Sequence, residues 1–252
     1  MKTHYDVEFA RKLLSIVDAG LIAGIGVPIP GQMCVEAAVC HALGLPHGDD
    51  PGCVDASVRA FKIQLNDSGW SSPAARAAGL RGLAVAQLGS KGVIDGAEFR
   101  RLLAERTIRV IVPIALRAAA RVCPASASAL EAAAARCVAE GSLAAADAAY
   151  AAAAAANAAA YAAYAAAYAA AYAAANAANA AANAANAAVN AAAYAAANAA
   201  NAANAAANAT AANAAADAAA RDGVLARSAS LALEVLHELG APGVALWDSV
   251  AS

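Results

Sequence analysis

The sequence predicts an all-α protein: an N-terminal helical bundle, a long alanine-rich helical segment, and a C-terminal amphipathic helix. Three observations predict it. Apolar residues recur at helical spacing between clear capping residues and glycines. Strand-like alternation is nearly absent. Between Gly141 and Gly223 neither glycine nor proline interrupts the chain.

The elements follow in order. Asp6 is positioned to cap a first helix that ends near Ala19 and Gly20. The loop "GIGVPIPG" breaks any helix. A second helix runs from Gln32 to Leu43, with Gly44 in the stop position. The loop "GLPHGDDPG" leads to a third, "CVDASVRAFKIQLND", with Val54, Val58, Phe61 and Leu65 on one face. In "SSPAARAAGLRGLAVAQLG" Ser72 caps a fourth, Pro73 takes its first turn and Gly89 ends it. "DGAE", Asp95 to Glu98, reads as a capping box that opens a fifth. Pro113 is expected to kink or split that helix. A sixth runs from about Ser126 to Glu140. Residues 1–140 thus form a compact helical domain, residues 141–222 an alanine-rich repeat, and residues 223–252 a helix and tail.

In the repeat, the Asp, Tyr, Asn and Arg letters from Asp147 to Arg221 mark a regular series, with one slot near Ala154 filled by alanine. Its 20 steps across 74 residues average 3.7. That is close to the roughly 3.67 residues per turn of an eleven-residue repeat. The marked residues form one nearly straight stripe, opposite a broad alanine face. A single helix of about 80 residues would reach about 120 Å. Two packings are open: the alanine face against another alanine helix with the stripe in solvent, or the stripe inside with its amides and hydroxyls hydrogen-bonded. The first is the leading expectation. The ladder of Tyr161, Tyr164, Tyr168 and Tyr172 is expected to pack against a neighbouring helix. After Gly223, Leu231, Val235, Leu236 and Leu239, then Leu246 and Trp247, need a core to bury into, and residues 1–140 offer the strong one. Either the alanine segment folds back, or a second chain lies antiparallel and offers its own core.

Composition excludes several classes. Residues 1–140 hold 15 Lys+Arg and 13 Asp+Glu, and the remainder 2 against 6. Neither part carries the clustered basic residues of a nucleic-acid surface. The asparagines of the alanine segment argue against a membrane span. The arginines from Arg100 to Arg121, beside Glu98 and Glu105, read as a solvated face. Five cysteines, an odd number, do not make a disulfide framework, and the first apolar run lacks a cleavage pattern. A reducing, cytoplasmic setting is the expectation, with no cofactor.

The densest chemical constellation is "CVEAAVCHALGLPHGDDPGC". Cys34, Cys40, His41, His47 and Cys53 are candidate metal ligands, although the short chelating pair usual for zinc is missing. Cys34 sits near a helix start, where a thiol pKa falls, and with His41 or His47 and an acid it is a candidate nucleophile. Gln32, two residues earlier, resembles the arrangement at cysteine-hydrolase sites.

The segments "GQMCVEAAVCHALGLPHGDDPGCV" (31–54) and "FKIQLNDSGWSSPAARAAGLRGLAVAQLGS" (61–90), with the Ala/Tyr/Asn tail, resemble a group of uncharacterised bacterial and phage-associated proteins. No activity is known for that group, so the resemblance implies no catalytic residues. The leading functional expectation is a non-enzymatic scaffold or interaction protein, which self-associates or binds a protein partner through the alanine face. A thiol- or metal-dependent enzyme around Cys34, His41 and His47 is one alternative. An ice- or surface-binding helix is another. The repeat is similar in composition to type I fish antifreeze helices, but Asn rather than Thr dominates its stripe.

Overall fold

The computed structural model describes residues 5–184 and 218–251. The fold is all-α, and among the described residues there is no β-strand. The helices are α1 (Val7–Asp18), α2 (Val35–Ala42), α3 (Ala56–Asn66), α4 (Pro73–Ala86), α5 (Gly96–Val122), α6 (Ala127–Glu140), α7 (Leu143–Ala184), α8 (218–238) and α9 (Pro242–Val250).

Local chemistry sets most boundaries. Asp6 accepts the Phe9 N–H at 2.8 Å and starts α1. Asp55 accepts Ser57 N–H and starts α3; Ser72 accepts Ala75 N–H and starts α4. Asp95 accepts the N–H groups of Ala97 and Glu98 and opens α5. Gly141 closes α6 in the left-handed conformation, φ 61°. Arg109 braces the same corner, donating to the carbonyls of Val138, Ala139 and Glu140 at 2.7, 2.8 and 3.0 Å.

Two expected boundaries do not fall where the sequence placed them. Pro113 does not split α5, which is continuous over 27 residues. Helices α3 and α6 both pack on α5, which runs on across the missing N–H. Gly223 does not begin the C-terminal helix but lies within α8. The preceding turn is tethered, for Asp222 accepts the Ser71 N–H at 2.8 Å and Arg221 donates to Gly69 O at 3.2 Å.

The buried apolar residues fall into two clusters. The larger unites α1–α4, the first half of α5, α8 and α9, around Leu13, Val39, Leu80, Leu83, Phe99 and Leu236. Burying each such side chain contributes about 1.5–3 kcal/mol. The smaller unites the second half of α5, α6 and the first turns of α7. Helix α5 belongs to both. The C-terminal α9 packs on α1 and α4.

The seating of α9 is tight. A Cβ on Gly243 would lie 2.4 Å from Val85 O and 2.7 Å from Ala86 O, both backbone atoms that cannot swing aside. Gly243→Ala is expected to lift α9 from α4 and to destabilise the fold by about 1–3 kcal/mol. Thermal unfolding together with the fluorescence of Trp247, which packs on Gly82, checks it.

Candidate functional site

The loop before α2 is pinned from below. Asn66 Oδ1 accepts Val35 N–H at 3.2 Å, and Asn66 Nδ2 donates to Ile22 O at 2.9 Å. Arg76, from α4, donates to Asn66 O at 2.7 Å and Leu21 O at 2.9 Å. These bonds hold Cys34 as the N-cap of α2, its Sγ accepting Ala37 N–H at 3.4 Å.

Beside it on α2 begins a fully buried ion pair. Glu36 on α2 and Lys62 on α3 are both 0% exposed, with Glu36 Oε1 3.2 Å from Lys62 Nζ. Gln87, also 0% exposed, donates from Nε2 to Glu36 Oε2 at 3.3 Å, while its own Oε1 has no donor among the described residues. Burial pushes the Glu36 carboxyl up and the Lys62 ammonium down, and their mutual attraction opposes both shifts. A cavity of about 50 Å³ touches Cys34, Glu36, Asn66 and Asp67, enough room for an ordered water.

The structure disperses the other candidates. Cys40 is buried, and burial pushes its thiol up to about 11. His41 is exposed, and so is His47, whose Nε2 is 3.0 Å from Gly26 O. Cys53 is half-buried. Among the described residues no three His, Cys, Asp or Glu side chains gather into a group that could hold a metal ion. The expectation of a lowered Cys34 pKa is reversed. Burial raises it more than the helix-start N–H groups lower it, so the thiolate is disfavoured. Cys34 serves as the N-cap of α2. In the native protein a thiol reagent is expected to modify half-buried Cys53 and Cys123 first, and Cys34, Cys40 and Cys137 only at the rate of opening. Peptide mapping of a labelling time course checks this.

The alanine face gives the second site. Ala145, Ala149 and Ala156 are 0%, 3% and 4% exposed and, with partly buried Ala152, form one row against the alanines of α6 and the end of α5. From Ala145 to Ala156 the row covers eleven steps. On the opposite side Asp147, Tyr150, Asn157 and Tyr161 all face solvent, the two tyrosines 78% and 69% exposed. Over this stretch the alanine face packs and the stripe is outside. Tyr161 is exposed, where the ladder was expected to pack against a neighbouring helix. The side chains of Tyr164, Tyr168 and Tyr172 lie outside the described ones. Whether the segment folds back also lies outside the described residues. From Asn157 to Ala162 every residue is exposed, and α7 runs on to Ala184. At 42 residues it is about 63 Å long.

Among the described residues no helix is long and apolar enough to cross a membrane. Compared with protein-family models, curated proteins and solved structures, the chain finds no match.

Proposed function

We propose that this chain is a non-enzymatic helical scaffold that associates with a second copy of itself through the alanine face of α7. The observation that carries the reading is the row Ala145, Ala149, Ala152 and Ala156, which docks on other alanines within the chain. Beyond Ala156 the same face continues in phase, still alanine, with Ala160 exposed. Alanines let two helix axes approach closely and give contacts along the whole length. A face this smooth selects by shape, and its best complement is another face of equal smoothness and repeat. The second copy supplies one.

The reading assigns Glu36 and Lys62 to the bundle's architecture, where they fix α2 against α3. Sedimentation over a range of concentrations tests the association. The expected result is a mass that rises toward a multiple of 24.5 kDa. A constant monomer at all concentrations contradicts it.

A further inference from the structure

A groove of about 660 Å³ lies between α3 and α5, with the start of α7 at its edge. That volume falls within the range of small-molecule sites, about 300–1,000 Å³. Its floor is apolar: Phe61 and Phe99, in edge-to-face contact at 6.5 Å, with Leu103 and Ile108. Its flanks are small, because Ala56, Ala60 and Ala104 are exposed alanines.

The two ends differ. At one, Arg100 donates to Ser57 Oγ. On the same helix Arg101 pairs with Glu98 and Glu105, Arg106 with Glu234 and Glu238, Arg109 with Glu105, and Arg117 with Glu131. Arg100, like Arg121 at the far end of the helix, has no carboxylate within ion-pair distance among the described residues, and of the two only Arg100 lines the groove. Asp55, beside this end, is a carboxylate whose Oδ1 accepts the Ser57 N–H, and it lies beyond ion-pair distance of Arg100. At the other end Leu143 stands 75% exposed beside the groove. An unpaired cation and a stranded leucine at opposite ends of an apolar trough complement an amphiphile with one anionic head.

We infer that this groove binds a medium-chain monocarboxylate, its carboxylate on Arg100 and Ser57 and its chain along Phe61, Leu103 and Ile108. Arg100 and Ile108 are eight residues apart on α5, about 12 Å along the axis. An extended chain of decanoate spans a comparable length. Each methylene removed from the probe should weaken binding about fourfold.

The test is calorimetric titration of the full chain with decanoate and decanol, below their aggregation concentrations. The wild type should bind decanoate and unfold at a higher temperature in its presence. Arg100→Gln should weaken decanoate at least about tenfold, the scale of a lost charged hydrogen bond, and leave decanol unchanged. Ala104→Trp, at an exposed position, should fill the groove and remove binding of both; circular dichroism confirms the fold, and Ala60→Phe repeats the block from the opposite wall. The inference is overturned if the wild type ignores decanoate, if Arg100→Gln binds it unchanged, or if both blocking variants bind as before. It is equally overturned if the wild type ignores decanoate and Ala104→Trp instead lowers the mass in solution, which makes the groove a contact between copies.

Discussion

Lys62→Met is expected to destabilise the protein by about 3–5 kcal/mol, because it leaves the Glu36 carboxylate buried without a counter-ion. For a chain of this size that is roughly 6–20 °C in melting temperature. Glu36→Gln should be similarly harmful, leaving an ammonium stranded. The double variant Glu36→Leu/Lys62→Met should recover most of the loss, since an apolar pair of similar volume avoids the desolvation that the ions suffer. The pH dependence separates the two single variants. In Lys62→Met the folded carboxyl is raised, so the folded state holds its proton more tightly than the unfolded chain does. The defect should then be small below the ordinary carboxylate pKa, about 4.3, and grow as pH rises through the window above it. In Glu36→Gln the folded ammonium is lowered. Its defect should be present at neutral pH and shrink as pH climbs toward the ordinary lysine value, about 10.4. Unfolding curves at several pH values check both signs. Equal defects at all pH values would mean that the pair is lost for packing reasons alone.

Ala160→Glu is expected to weaken the proposed association by about a hundredfold or more, with the helix intact. Glutamate is a good helix former, so helicity should not fall. The position is exposed in the described chain and continues the row of Ala145, Ala149, Ala152 and Ala156. In an alanine-on-alanine contact, each copy would bring an unpaired carboxylate into a dry seam, at a penalty of roughly 3 kcal/mol or more. Asn157→Glu places the same charge on the solvent stripe and should leave the mass unchanged. Light scattering on the two variants makes the comparison. If both variants dissociate, or neither does, the alanine face is not the contact.

The caps were legible because each is a local event. Asp6, Ser72 and Asp95 need only their own next turn to satisfy, and the structure uses all three, whereas the Asp55 cap of α3 was not read. Pro113 does not split α5, and the C-terminal helix starts before Gly223, because a helix that packs along its length can run through a residue that would end it in isolation. Glu36 stood in the constellation singled out from sequence, but its partner did not. Lys62 falls at helical spacing between Val58 and Leu65, on the face that packs inward, and this was the available signal. A charged letter in a buried register asks for a partner, yet nothing in the sequence says that the partner is on α2. Gln87, near the end of α4, carried no signal at all. The eleven-residue series showed which sides of α7 differ; the structure decided which one packs.

Small-angle scattering with in-line light scattering on the purified chain tests the central claim most directly. The account predicts a mass that is a multiple of 24.5 kDa. It also predicts an elongated particle, with the projecting length of α7 shared between copies. A compact particle of monomer mass, unchanged across concentration, would contradict it.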